Sequence, residues 1–213
     1  LQDPGINPAP LSDAEIDIDH LEEWHEFCVA KGFNFDYVVT QEMSVAELCQ
    51  LIAAAGRALS TRNRQGQRTV VIEQPRPAPV QAFTSRNTSG FRTEIVYAPA
   101  PHGYRVTFQN ENSGYASDTR LVFDDGYSES NATDIQDLEA PGITNPDHAA
   151  RFGRYMLGQA KQSGRRSTFT AFTDHLVATI GDRIWLAHDL IAAGRTGARV
   201  LRVEADGLGN ATV

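Results

Sequence analysis

Apolar residues recur every three or four positions in three stretches of the chain, which is the spacing of one helix face. The pattern predicts helices over residues 18–31, 45–55 and 145–162. We expect the first two helices to end at Gly32 and Gly56, because glycine is favoured at helix C-termini.

Capping residues support two of these helices. Ser44 and Glu47 have the spacing of a capping box, in which each side chain bonds a backbone amide near the other residue. Thr144 is the predicted N-cap of the long third helix. Gly153 and Gly158 interrupt that helix, and we expect another element to pack closely against them.

Period-two alternation predicts the strands. One strand is predicted at residues 33–39, and residues 58–62 and 68–74 should form a hairpin around Gly66. Several strands joined by short turns are predicted between residues 80 and 140, which favours an antiparallel sheet or barrel. The last three are predicted at about 166–173, 183–188 and 198–205.

These elements predict an α+β fold with one long helix. Residues 1–15 hold three prolines without periodicity and are interpreted as a linker. Residues 16–78 should form a small α+β subdomain, which ends where prolines interrupt regular pairing. Residues 79–213 should form a larger domain, an antiparallel β-sheet or barrel-like structure that includes helix 145–162.

Composition places the chain among folded proteins. Its 213 residues are 41% hydrophobic and 22% charged, and no apolar run approaches the roughly 18 residues that span a bilayer. We therefore expect no membrane insertion. The chain begins at Leu1 without methionine or a signal-peptide pattern, so we interpret it as a fragment of something longer.

Charge is unevenly distributed along the chain. The formal net charge is −8, but residues 1–60 hold 11 acids and only 2 bases. Since nucleic acid attracts basic surfaces, we expect no nucleic acid contact.

The search for catalytic chemistry finds no recognisable catalytic motif, and we expect no catalytic residue, cofactor or metal site. Cys28 and Cys49 are interpreted as small buried hydrophobes. The carboxylates Glu22, Glu23 and Glu26 should form a solvated helix face. The oxygen-rich turn 124–130 could bind a cation, although such sequences are also ordinary turns.

Histidine and aromatic residues offer weaker signals. His175 follows Asp174 and His188 precedes Asp189, but neighbours on a strand point to opposite faces and should not bond each other. Aromatic residues at strand spacing could stack sugars or bases, although they more often lie in a core; they are Phe33, Phe35, Tyr37, Phe91 and Tyr97.

Two ordered sets of short segments resemble one protein family. The C-terminal set is GIT at 142–144, AARFGRY at 149–155, the strand 167–172, IGDRIWLAHD at 180–189 and GARV at 197–200. The N-terminal set is Trp24, the strand 33–39, AAGRA at 54–58, the Gly66 hairpin, FT at 83–84 and VTF at 106–108. Together they are similar to the tail-tip (host-specificity, J-type) proteins of long-tailed bacteriophages, a group that includes baseplate-hub proteins and proteins of gene-transfer agents.

The resemblance implies a virion structural protein without enzymatic activity. Family members form homotrimers that close the distal end of the tail tube, beside the tape-measure protein and other tail-tip proteins, after assembly in the bacterial cytoplasm. The domain 79–213 would then be a β-rich hub domain. Receptor-binding parts of the full-length proteins have no counterpart in this segment.

Three residues fit such a structural role. Arg151 and Arg154 lie three apart on one helix side, so they could pair with carboxylates within the chain or at a subunit interface. Asp182 follows Gly181 in a predicted turn, where its side chain can bond local amides.

Two other functions stay open at this point. The chain could be a carbohydrate-binding or cell-wall-cleaving β domain, which would require exposed aromatic residues and paired carboxylates in one cleft. It could also be a bacterial interaction module of the periplasm or cytosol.

Overall fold

The structure of the chain is a computed structural model. It describes residues 1–5, 7–75, 78–95, 99–162, 164–188, 195–200, 204–205 and 211–212. The α-helices are α1 (Ile18–Lys31), α2 (Val45–Ala55) and α3 (Pro146–Gln162). The strands are β1 (Ala58–Arg62), β2 (Arg68–Ile72), β3 (Gln81–Thr84), β4 (Thr88–Ile95), β5 (Gly103–Asn110), β6 (Ala116–Phe123), β7 (Ile135–Glu139), β8 (Arg165–Ala171), β9 (Arg183–Ala187), β10 (Arg195–Arg199), β11 (Glu204–Ala205) and β12 (Ala211–Thr212). The predicted α+β class is confirmed.

Unit 1 consists of residues 1–73 and 98–162. Its central strand is β5, which pairs antiparallel with β6 and parallel with β7. Helix α3 packs across β5 and β6, while α1 contacts β2 and α2 contacts β1. The predicted hairpin of β1 and β2 is confirmed, with Ser60 opposite Val70 at its centre.

The core of unit 1 lies between α3 and the sheet. Its buried side chains are Ala55, Val106, Phe108, Val122, Ala140, Ile143, Ala149 and Leu157. A Cβ atom at Gly153 would lie 2.8 Å from Cγ2 of Val106 and 2.9 Å from Cγ2 of Val122, so helix and sheet approach closely there. The predicted close contact is confirmed at Gly153, whereas a Cβ at Gly158 would meet nothing within 4 Å.

The strand predicted at residues 33–39 is wrong, because this part of the chain is extended without a ladder. Phe33 is buried and Phe35 packs against the core, so the alternation correctly indicates that these two side chains turn inward, whereas Tyr37, the next in the alternation, is exposed. The Asp36 N–H donates to the Gly142 carbonyl oxygen at 2.8 Å, and none of the described strands pairs with residues 33–39. Alternating burial alone therefore does not supply a pairing partner.

The N-cap of α3 also differs from the prediction. Asn145, not Thr144, accepts hydrogen bonds from the amides of Asp147 and His148 at 2.9 and 3.2 Å. The Thr144 hydroxyl instead donates to the Asp36 carboxylate at 3.1 Å. Threonine and asparagine are both favoured at N-caps, but the Thr144 hydroxyl is engaged by Asp36, and the side chain of Asn145 caps α3 instead.

Unit 2 consists of residues 74–97 and 163–213. One sheet has β9 between β3 and β10, and the other has the order β11-β12-β8-β4. The buried residues are Phe83, Phe169, Ala171, Ala178, Ile184, Leu186 and Val200. The rings of Phe83 and Phe169 lie 5.2 Å apart at the centre of this core.

Strand pairing departs in part from the predicted antiparallel arrangement. The pairs β5–β7 and β3–β9 are parallel, and no sheet closes into a barrel within the described residues. Both parallel pairs join strands that are distant in sequence, a relation that short turns cannot indicate. The predicted division into a subdomain at residues 16–78 and a larger domain at residues 79–213 stays a prediction.

Candidate functional site

The helices of unit 1 meet at aromatic and basic side chains that we call the junction cluster: Phe33, Arg57, His148, Arg151 and Tyr155. The Arg57 guanidinium lies between two rings, 5.2 Å from the centre of Phe33 and 5.0 Å from that of Tyr155. The His148 ring stacks on Phe33 with centres 4.8 Å apart. These cation–π and stacking contacts hold the end of α2 against α3.

His148 is the most buried member of the cluster, with 2% of its surface exposed. Its Nε2 lies 3.0 Å from the Ala55 carbonyl oxygen. Because a carbonyl oxygen can only accept, Nε2 carries the proton and Nδ1 is left without a partner among the described residues. Burial lowers the pKa of His148, and the guanidinium groups of Arg151 and Arg57 lower this pKa further. The ring is therefore neutral at pH 7.

Arg57 has a left-handed backbone, with φ of 51°, directly after Gly56. A Cβ at Gly56 would lie 2.6 Å from the Trp24 ring, whose Nε1 donates to the Gly56 carbonyl oxygen at 2.9 Å. Close approach of the indole thus requires glycine at position 56, and Arg57 takes the strained conformation. Its guanidinium donates to the Arg151 carbonyl oxygen at 3.2 Å, and burial lowers the pKa of Arg57.

Sequence reasoning missed Arg57 as a structural residue. Its one signal was its place in the AAGRA segment at 54–58, where nothing in the residue pattern shows that a guanidinium will lie between two aromatic rings.

Arg151 and Arg154 are both engaged within the chain. Arg151 donates to the carbonyl oxygens of Lys31 and Gly32, the latter at 3.3 Å, and so places a cation at the C-terminus of α1. Arg154 donates to the Phe123 carbonyl oxygen and to Asp125, each at 2.8 Å. A role of these arginines in a subunit interface stays a prediction.

The acidic turn after β6 faces cationic side chains. Asp124 lies 2.6 Å from Lys161 Nζ, and this hydrogen bond lowers the pKa of Asp124. Asp125 pairs with Arg154 and raises the pKa of that arginine. Within the described part of the chain, no three His, Cys, Asp or Glu side chains are placed to hold a metal ion.

The turn around Asp182 in unit 2 confirms its prediction. The Asp182 carboxylate accepts from the Thr179 amide at 2.8 Å and from the Thr179 hydroxyl at 2.7 Å. Gly181 has a φ of 90°, which favours glycine. The Val200 amide then donates to the Asp182 carbonyl oxygen at 3.1 Å.

Two histidines stack on aromatic rings. His102 lies 3.9 Å from Tyr127, and His188 lies 4.0 Å from Phe91, measured between ring centres. Tyr37 is exposed, whereas Phe91 packs against the core of unit 2. The side chains of Asp174 and His175, together with the whole of Tyr97 and Asp189, lie outside the described residues.

Other predicted residues have mixed outcomes. The carboxylates Glu22, Glu23 and Glu26 lie on the exposed side of α1, as predicted. Cys28 and Cys49 are half-buried rather than buried, because both helices are only partly covered. Cys28 lines a cavity of about 70 Å³ between α1 and α2, and burial raises the pKa of its thiol. Of the described helices, none has the length and apolar character of a membrane span.

A protein-family comparison identifies the class to which the chain belongs. Residues 52–205 match the sequence model of the family described as "Putative phage tail protein", and the chain belongs to this family. It is a structural component of phage or prophage tails. A comparison with curated protein sequences finds no match.

Solved structures share the fold at low sequence identity. The tail protein from Neisseria meningitidis MC58 is 12% identical, with a TM-score of 0.61 over 90% of this chain and 64% of that one. The 43 kDa tail protein of prophage MuSo2 from Shewanella oneidensis is 12% identical, with a TM-score of 0.52 over 89% and 61%. A chain in the virion of a native gene transfer agent is 15% identical, with a TM-score of 0.60 over 89% and 45%. The chain thus spans 45–64% of the length of these relatives.

Proposed function

We propose that the chain is part of a tail-tip hub, in which identical copies form a homotrimer that closes the distal end of the tail tube. Other tail-tip proteins and the tape-measure protein would be its partners, after assembly in the bacterial cytoplasm. The observation that supports this proposal most is the fold, shared over 89% of the chain with a chain in a gene transfer agent virion.

The contacts of the candidate site favour a structural role over catalysis. The junction cluster directs its guanidinium groups at backbone carbonyl oxygens and aromatic rings of the same chain. In the acidic turn, Asp124 pairs with Lys161 and Asp125 pairs with Arg154. Groups that are already paired hold helices and turns in fixed positions, which suits a subunit of a rigid wall. We therefore propose that the chain has no enzymatic activity.

The position in the tail is tested by electron cryo-microscopy of purified tails that carry a tag on this protein. Density for the tag at the distal end of the tube, in three copies, is the expected result. Density along the tube or at the head-proximal end would contradict the hub position and leave the family membership unchanged.

The trimer is tested separately by size-exclusion chromatography with light scattering over a range of protein concentrations. A mass near three times 23.3 kDa is expected at high concentration. A dimer would contradict the proposed symmetry, because a threefold ring cannot be built from a closed twofold contact.

The carbohydrate-binding or cell-wall-cleaving alternative has a direct test of its own. Binding to peptidoglycan fragments, or release of sugars from them, would favour this alternative over a purely structural role. Of the aromatic residues named for this alternative, Phe33, Phe35 and Phe91 are buried or pack against a core, whereas Tyr37 is exposed.

A further inference from the structure

An extended stretch of unit 1, residues 37–43, has the composition of a strand but pairs with no strand that the structure describes; we call it the unpaired segment. It begins with Tyr37, Val38 and Val39, which are favoured in sheets. These side chains are 37%, 79% and 48% exposed. The backbone of the unpaired segment makes no hydrogen bond to any other residue that the structure describes.

Both ends of the unpaired segment are fixed on unit 1. At one end, Asp36 donates its N–H to the Gly142 carbonyl oxygen at 2.8 Å and accepts from the Thr144 hydroxyl at 3.1 Å. At the other end, Ser44 caps α2 through its capping box with Glu47. A segment held in this way loses little conformational freedom when it pairs, so pairing is favoured.

A suitable partner strand exists in unit 2 at the edge of a sheet. Strand β4 pairs with β8 on one side, and no described strand lies on its other side. Its ladder shifts between Ser89 and Arg92 and is regular from Arg92 to Ile95. An unpaired strand edge of this kind offers amide and carbonyl groups to an additional strand.

Charge distinguishes β4 from the strand edges of unit 1. Unit 1 holds 21 acids and 10 bases, whereas unit 2 holds 6 acids and 9 bases, all of them arginine. Arg92 on β4 and Arg166 on β8 are exposed, and neither has an ion pair with a residue that the structure describes. The unpaired segment carries the exposed Glu42, whose charge is complementary to Arg92 and to the net positive unit 2 but not to the acidic unit 1; Glu94, also exposed on β4, lies opposite Arg166.

We infer that the unpaired segment of one copy adds as a strand to β4 of a second copy. Donor and acceptor then belong to different surfaces of the same chain, so each copy gives one strand edge and receives another. Contacts of this heterologous kind close into a ring when the rotation between copies allows it. The inference rests on the proposed homo-oligomer and names the surfaces that would build it.

Cysteine cross-linking tests the contact directly. In a background of Cys28→Ala and Cys49→Ala, the variants Thr40→Cys and Arg92→Cys are mixed and treated with a short bis-maleimide, because Thr40 lies on the same face as Glu42 and next to the position opposite Arg92. A cross-linked dimer is expected from the mixture and not from either variant alone. The matched control replaces Arg92→Cys with Thr119→Cys on β6, an exposed strand edge of unit 1, and should give no product above background.

Charge exchange provides a second, independent readout. Glu42→Arg and Arg92→Glu should each weaken self-association about tenfold at low salt, and the chain with both changes should recover most of the loss. Glu129→Arg, on an exposed turn, should leave association unchanged. A cross-link to β6 instead of β4, no recovery in the double variant, or a wild-type chain that stays monomeric at all concentrations would each overturn the inference. Labelling of purified tails would still report the tail position, so the two proposals fail separately.

Discussion

His148 offers a direct test of how the junction cluster stabilises unit 1. In the variant His148→Phe, a ring can still stack on Phe33, but the hydrogen bond to the Ala55 carbonyl oxygen is lost. Ala55 is 4% exposed, so water cannot replace this bond. An unpaired buried polar group costs about 1–3 kcal/mol, and we expect the free energy of unfolding to fall by that amount at pH 7.5.

The same residue should make stability depend on pH. An unfolded histidine titrates at about pH 6.5, whereas burial beside Arg57 and Arg151 depresses the pKa of folded His148. As the pH falls below about 6.5, the unfolded state binds a proton that the folded state does not, so stability is lost with acidification. From pH 7.5 to 5.5 the wild-type chain should lose about 1 kcal/mol more than His148→Phe does.

Urea unfolding at both pH values, followed by the helical circular dichroism signal, measures both effects. All three α-helices of the described chain belong to unit 1, so this signal reports on the correct unit. His25→Phe is the matched control, because it makes the same replacement at a histidine that lies exposed on α1. An equal pH dependence in the wild type and His148→Phe would refute the reasoning.

Three further predictions concern the packing of α3, the turn at Asp182 and the exposed Arg154. Gly153→Ala should lower the free energy of unfolding by about 1–3 kcal/mol through its collision with the sheet. Gly158→Ala, where the added methyl group meets open space, should raise the free energy of unfolding by up to about 1 kcal/mol, measured by urea unfolding as for His148. Asp182→Ala removes two side-chain hydrogen bonds from a buried turn, so the free energy of opening measured by amide hydrogen exchange in unit 2 should fall by about 1–3 kcal/mol. An unchanged exchange rate would contradict this account. Arg154→Ala should change the stability of the isolated chain by less than about 1 kcal/mol, since its ion pair is exposed. If Arg154 also lies at a subunit interface, the same variant will dissociate the oligomer in a light-scattering measurement, and an intact oligomer would remove that role.

Local signals in the sequence predicted local structure well. The capping box at Ser44 and Glu47 identified the start of α2, and Gly32 and Gly56 correctly marked two helix ends. The turn at Gly181 and Asp182 was also predictable, because an aspartate side chain reaches amides only a few residues away. Each of these features depends on neighbours within one helical turn or one tight turn.

Features that depend on distant residues were not predictable from the pattern. Alternation showed that Phe33 and Phe35 turn inward, but it could not show that none of the described strands pairs with them. The same limit applies to the parallel pair of β3 and β9, whose partners lie about a hundred residues apart. In the candidate site, the need for glycine at position 56 is explained only by Trp24, a residue on another helix.

The parallel pair of β3 and β9 has a consequence for synthesis on the ribosome. Residues 81–84 emerge early, yet the strand that covers Phe83 is translated only after the whole second part of unit 1. A non-local pairing of this kind forms slowly, so the apolar residues of β3 stay exposed in the nascent chain until β9 has been synthesised. Holding chaperones should therefore engage the polypeptide during this interval, and truncation before residue 183 should leave an aggregation-prone product.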